Sequence, residues 1–171
     1  MNNAGTKLVK HFESLNDDDL SKIGLQPKRD PCGIWTGGWG HALKTKDGSR
    51  FLTGSADKAE AYACYPNMTE EQADELLQDD LAEFERHVSA MLKVEVNENQ
   101  FAALTSFAYN CGAGNLHGST LLKKLNAGDF ESAANHFLDW NKGRVHGVMV
   151  VLNGLTARRD AERALFLSDC A

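Results

Sequence analysis

The chain has 171 residues, 42% of them hydrophobic and 25% charged, and its 18 basic against 24 acidic residues give a formal net charge of −6. That length allows one domain, or two small lobes sharing a helix, with a core that needs no disulfide or metal staple. The composition excludes a disordered chain. The dispersed Lys and Arg exclude a phosphate-binding face, and with it a nucleic acid partner.

The N-terminal stretch from Met1 to Lys10 has neither an apolar core nor a small-residue cleavage site, so no secretory leader is expected and the cytoplasm is the expected compartment. The longest apolar run, Val148 to Leu152, falls far short of the ~18 residues that span a bilayer, so stable membrane insertion is not expected. Cys32, Cys64, Cys111 and Cys170 form no Cys-x-x-Cys pair. Free thiols are expected, with Cys111 buried, and neither a metal site nor a cofactor is expected.

In chain order, Leu8, Val9 and Phe12 share one face of a short first helix, and Glu13 follows that stripe at the helix end. Residues 14 to 33 lose periodicity among Asp17, Asp18, Asp19, Gly24, Pro27, Pro31 and Gly33. From Ile34 to Thr53 the residues turn β-prone, and Asp47-Gly48 supplies a hairpin turn. Gly37, Gly38 and Gly40 interrupt this region, which implies either a substrate lying against the backbone or a bulge.

Beyond Pro66 the pattern is helical. Thr69 to Gln72 forms a capping box for a long helix to Met91, whose buried face is Ala73, Leu76, Leu77, Leu81, Phe84, Val88 and Met91. Asn97 to Gln100 is a second capping box, opening a helix that Gly112 stops. Short helices are expected from Ser119 to Leu125 and after Asp129, and a last one from Leu155 through Phe166. The stretch from Val145 to Asn153 has no predicted shape. The fold class is therefore α+β and mainly helical, one domain over 1–171. Its parts are a small N-terminal lobe with a β-hairpin (about 1–66), a linking helix (about 69–91) and an all-helical lobe (about 92–171). A cleft between two lobes is a place for a polymer to lie.

Glu13, after an apolar stripe, is placed for partial desolvation, which favours a protonated carboxyl. Asp30 sits in the open, glycine- and proline-rich entry to the hairpin, where water keeps a carboxylate ionised. Thr36 lies six residues further on, and its hydroxyl could hold a water with Asp30. Two carboxyls in different surroundings are what glycosidic cleavage requires, one to protonate the leaving oxygen and one to help water. On these features alone Glu13 is one of 24 acidic residues, most of which are solvated surface groups.

The run Phe12-Glu13, then Asp30-Pro-Cys-Gly-Ile-Trp-Thr36-Gly-Gly-Trp-Gly-His41, strongly resembles the phage lysozyme family, glycoside hydrolase family 24. That family carries a Glu, then an Asp or Cys, then a Thr and a Gly-aromatic-Gly-His run. The resemblance continues through Asn99 to Gly112, Ser119 to Gly128 and Gly154 to Glu162, in order along nearly the whole chain. It implies a lysozyme-like fold and an endolysin that hydrolyses the bond between N-acetylmuramic acid and N-acetylglucosamine in peptidoglycan.

The same resemblance implies Glu13 as general acid, Asp30 as second carboxylate and Thr36 as its partner in placing water. Tyr109 and Ser119 are implied to touch the sugar chain, although Tyr109 in the core is an equal alternative. His41 is implied to be structural, and counting from the Thr69 cap puts Asp80 opposite it, unless Asp80 is a solvated helix acid. The implied partners are peptidoglycan glycan strands, with a holin to pass a monomeric protein from the host cytoplasm to the periplasmic wall.

The chain departs from the family pattern in having sixteen residues between Glu13 and Asp30, more than many members, as if a piece around Leu15 to Gln26 were inserted. This opens the alternative that Asp17, Asp18 or Asp19 approaches the substrate in place of Asp30. Two other functions are distinguishable by experiment: a lytic transglycosylase, which needs no water, and a catalytically idle wall-binding module. The negative charge gives no basic field to concentrate the chain on an anionic wall, so attachment would rest on hydrogen bonds and stacking.

Overall fold

The computed structural model describes residues 1–169, which are mainly helical with two small antiparallel sheets, an α+β arrangement. The chain forms two compact units: Met1–Phe12 together with the chain from Leu81 onward, and Glu13–Asp80. The first helix therefore groups with the C-terminal helices, whereas the sequence pattern had assigned it to the N-terminal lobe. Gly5 lies close against Ala102, where a Cβ would stand 2.7 Å from the Ala102 side chain, and no local pattern could reveal this.

In the unit Glu13–Asp80, strands β1 (Lys28–Arg29), β2 (Trp35–Gly37) and β3 (His41–Ala42) form an antiparallel sheet in the order β1-β2-β3. Thr36 faces Lys28 on one side and Ala42 on the other. The chain then turns back through Asp47-Gly48, with Gly48 at φ 71°, so that Phe51 meets Lys44. Trp35, Leu43, Leu52 and Ala61 make the core, and Tyr62 and Cys64 pack on it.

Ala61 belongs to α2 (Lys58–Cys64), a helix absent from the sequence reading. Its seven residues are too few to display a period, and its apolar positions are mostly alanine. Helix α3 (Glu70–Met91) begins at the expected capping box: Gln72 N–H donates to the Thr69 hydroxyl, and the Gln72 side chain accepts from Thr69 N–H. The chain passes from one unit to the other within this helix.

In the other unit, α1 (Asn3–Glu13) contributes its residues through Phe12. Then α4 (Glu98–Cys111) opens on the Asn97–Gln100 capping box and stops at Gly112, φ 94°. Four short segments follow: α5 (Ala113–His117), α6 (Thr120–Asn126), α7 (Phe130–Asn135) and a 3-10 turn (His136–Trp140). Asp129 caps α7 by accepting from Ser132 N–H.

The stretch of undefined shape is a β-hairpin, β4 (Lys142–Val145) with β5 (Val148–Val151), and α8 (Asn153–Leu167) ends the described fold. The core gathers Val88, Leu104, Phe107, Leu116, Leu121, Leu125, Phe137 and Phe166. Arg158, Arg159 and Glu162 are buried beside it. Cys111 is half-buried rather than buried, its sulfur set against Arg159, and Cys170 lies outside the described residues.

Candidate active site

Glu13 is the last residue of α1 and is half-buried. The helix stops there because Ser14 takes a left-handed conformation, φ 58°, which ends hydrogen bonding along the axis. Two residues later the chain is fastened to the sheet. The Asn16 N–H donates to the Gly38 carbonyl at 2.8 Å, and the Asn16 side-chain amide donates to the Thr36 hydroxyl at 3.2 Å. Residues following Glu13 are thus pinned to the strand that carries Thr36.

Asp30 sits just past β1, in a turn closed by its own backbone. Its N–H donates to the Ile34 carbonyl at 2.8 Å, and Gly33, at φ 83°, donates to the Asp30 carbonyl at 2.9 Å. Its Oδ1 accepts from Cys32 N–H at 2.8 Å and Ile34 N–H at 2.9 Å, which fixes the carboxylate plane. Its Oδ2 has no protein partner among the described residues.

Thr36 is buried opposite Lys28, and its hydroxyl donates to the Lys28 carbonyl at 3.0 Å. With its proton committed there and one lone pair taken by Asn16, the hydroxyl has one acceptor position left.

The three aspartates of the intervening loop each accept a hydrogen bond. Asp17 accepts from Gln26 N–H, and Asp18 accepts from the Tyr62 hydroxyl at 3.3 Å. Asp19 accepts from the hydroxyl and N–H of Ser21, which hold its carboxyl below the usual range. These bonds shape the loop.

His41 Nδ1 lies 2.8 Å from Asp80 Oδ2, which joins the end of the glycine-rich run to α3. Trp39 supplies a second tie that the sequence reading missed: its indole N–H donates to Asp74 at 2.7 Å. Gly38, at φ 55°, answers the question its position raised. A Cβ there would stand 3.0 Å from the Ala73 side chain, so the element close to this backbone is α3 itself.

Tyr109 and Ser119 belong to the other unit. Tyr109 is half-buried and packs edge-on against Phe84, ring centroids 5.4 Å apart. Ser119 is buried and caps α6: its hydroxyl accepts from Leu122 N–H at 3.0 Å and donates to the Leu116 carbonyl at 2.7 Å. Asn16 had no signal in the sequence, because its partner lies twenty residues away across an irregular loop.

A sequence model of the phage lysozyme family matches residues 20–162. The chain belongs to the phage lysozyme family. It is 41% identical over 167 residues to an endolysin of Bacillus phage B103, a match covering 96% of this chain and 53% of that protein, so it spans about half the relative's length. It is 34% identical over 164 residues to an endolysin of Acyrthosiphon pisum secondary endosymbiont phage 1, covering 96% of this chain and 95% of the relative. Among solved structures it resembles the muramidase domain of SpmX from Asticaccaulis excentricus, with a TM-score of 0.76 and 30% identity, covering 98% and 97% of the two chains. The matched stretch includes Asp30 and Thr36 and begins after Glu13. Among the described residues no helix is long and apolar enough to cross a membrane.

Proposed function

We propose that the protein is a muramidase of the endolysin type, hydrolysing the β-1,4 bond between N-acetylmuramic acid and N-acetylglucosamine in peptidoglycan. Glu13 is the general acid: its proton passes to the glycosidic oxygen as the bond from the anomeric carbon to that oxygen breaks. A water held by Asp30 and Thr36 forms the new carbon–oxygen bond from the opposite face, and Asp30 takes the water's proton.

The observation that carries this reading is the hydrogen-bond state of Thr36. Its donor is spent on the Lys28 carbonyl, so toward a water it can only accept. Asp30 Oδ2 also accepts. A water donating one proton to each turns its oxygen lone pair outward, as a nucleophile must. The arrangement supports hydrolysis over a lytic transglycosylase, which consumes no water, and over an idle binding module. It also supports Asp30 over Asp17, Asp18 or Asp19, which accept from Gln26, Tyr62 and Ser21.

Asn16 joins the assignment as a positioning residue, and His41 with Asp80 as a structural pair. Tyr109 is the candidate for contact with the sugar chain. Ser119 is a helix cap. On this reading the chain acts on the cell wall as a monomer and reaches it from the host cytoplasm through a holin.

Mass spectrometry of purified murein digested by the parent and by Glu13→Gln tests the proposal. Products carrying one added water from the parent, and loss of at least a thousandfold in the variant, are expected, given the combined weight of acid catalysis and orientation. Anhydro products would replace the hydrolase reading with a transglycosylase. Equal lysis by the variant would remove Glu13 as the acid.

A further inference from the structure

The hairpin β4–β5 carries five exposed large apolar residues, Val145, Val148, Met149, Val150 and Val151, and has no part in the proposed chemistry. Its strands pair Lys142 with Val151, Gly143 with Val150, Arg144 with Met149 and Val145 with Val148. Cross-strand partners share a face, so Val145 and Val148 project on one side and Met149 and Val151 on the other. At the base Gly143 is covered, since a Cβ there would meet Leu152 at 2.5 Å.

Toward the turn at His146-Gly147 both faces are open: Val145 and Val148 are 40% and 61% exposed and Met149 is 53% exposed, while Val151, opposite Lys142 at the base, is 56% exposed. A protein partner covers one face of such a ribbon. A fluid apolar medium can surround both.

The charges point the same way. In a chain of net charge −6, the stretch from Asn141 to Arg159 contains no Asp or Glu. Lys142 and Arg144 are exposed on the face that carries Met149 and Val151. The acid nearest in sequence before it, Asp139, is bonded to His136 Nδ1 at 2.6 Å. The Arg144 guanidinium donates to the Gly147 carbonyl at 2.8 Å, so the hairpin presents Val145, Val148 and Met149 with one cation at the turn and Lys142 at the base. Leu20 and Ile23, the other strongly exposed apolar pair, sit instead in the loop of Asp17, Asp18 and Asp19.

We propose that the β4–β5 hairpin is a peripheral membrane contact that dips its tip into the interface of an anionic phospholipid bilayer, with Lys142 and Arg144 against the headgroups. The contact is reversible and spans nothing. Such interfacial binding combines buried apolar area with electrostatic attraction and weakens with salt.

The test is co-sedimentation of the full chain with vesicles of phosphatidylglycerol and phosphatidylcholine in equal parts, against phosphatidylcholine alone, with folding checked by circular dichroism. Binding to the anionic vesicles is expected, reduced at least tenfold by Val148→Ser with Met149→Ser. Lys142→Ala with Arg144→Ala is expected to reduce it roughly thirtyfold at low salt. Leu20→Ser with Ile23→Ser should leave it unchanged. Met149→Trp, which keeps the hairpin apolar, should shift its emission to the blue on the anionic vesicles.

Absence of sedimentation, binding indifferent to the hairpin variants, or loss in the Leu20/Ile23 variant overturns the proposal. So does a hairpin variant that instead abolishes self-association in sedimentation velocity or retention on purified murein, because the surface would then serve a second copy or the wall.

Discussion

Replacing Glu162 by glutamine keeps the shape of a fully buried side chain and removes its charge. The carboxylate accepts from the Ser106 hydroxyl at 2.7 Å and from Arg158 Nε at 3.2 Å, both on Oε1. Arg159 reaches it with Nη2 at 3.0 Å from Oε1 and with Nε at 2.8 Å from Oε2. Arg159 is itself fully buried and otherwise holds Asn110 Oδ1 at 2.9 Å and the face of Phe107. A glutamine would turn an amide N–H₂ toward a guanidinium and take the charge of Glu162 from Arg158 and Arg159.

Breaking a buried ion pair in this way costs about 3–5 kcal/mol. That is a large share of the roughly 5–15 kcal/mol that holds a domain folded. For a chain of this length it corresponds to a fall in Tm of about 6–20 °C. Ser106→Ala removes a single charge-assisted hydrogen bond and should cost less, about 1–3 kcal/mol. Urea and thermal unfolding of the two variants and the parent give the comparison. A Glu162→Gln loss below 1 kcal/mol, or one smaller than that of Ser106→Ala, would refute the argument that these arginines depend on Glu162.

Three further predictions concern the other unit. Asp57 is held at about 2 by the Arg50 guanidinium and by Thr53 N–H, below its unfolded value, so the stability it adds is present above about pH 4 and is lost as pH falls toward 2. Acid titration of Asp57→Asn should show a shallower loss across that window, and an identical slope would contradict the assignment. Asn16→Ala should lower kcat roughly ten- to a hundredfold while leaving KM and Tm nearly unchanged, because it frees Thr36 to reorient. A change confined to KM or Tm would mark Asn16 as structural. Gly38→Ala should cost about 1–3 kcal/mol, since φ 55° disfavours a side chain and the new Cβ would press on Ala73, and thermal unfolding reads this directly.

What the sequence disclosed follows from the range of the forces involved. The ends of α3, α4, α6 and α7 were legible because Thr69, Asn97, Ser119 and Asp129 cap them within three residues. The β-turn at Asp47-Gly48 was legible for the same local reason. α2 escaped because alanines carry little periodic contrast. The hairpin β4–β5 escaped because valines facing solvent on both sides do not alternate with polar residues.

Within the site, Glu13, Asp30 and Thr36 stood out through motif order. Their hydrogen-bond states did not, since these depend on Asn16, Lys28 and the Asp30 turn meeting in space. Ser119 was singled out for substrate contact by motif order, while its capping of α6, through an accepted bond from Leu122 N–H, was legible locally.

Proton NMR of the reducing end freshly released from a β-linked murein fragment tests the central claim most directly. If a water held by Asp30 and Thr36 attacks opposite the leaving group, with the carboxyls about 6.5–9.5 Å apart, the first product anomer is inverted, α before mutarotation. A first product with retained β configuration would make Asp30 a nucleophile and contradict the account.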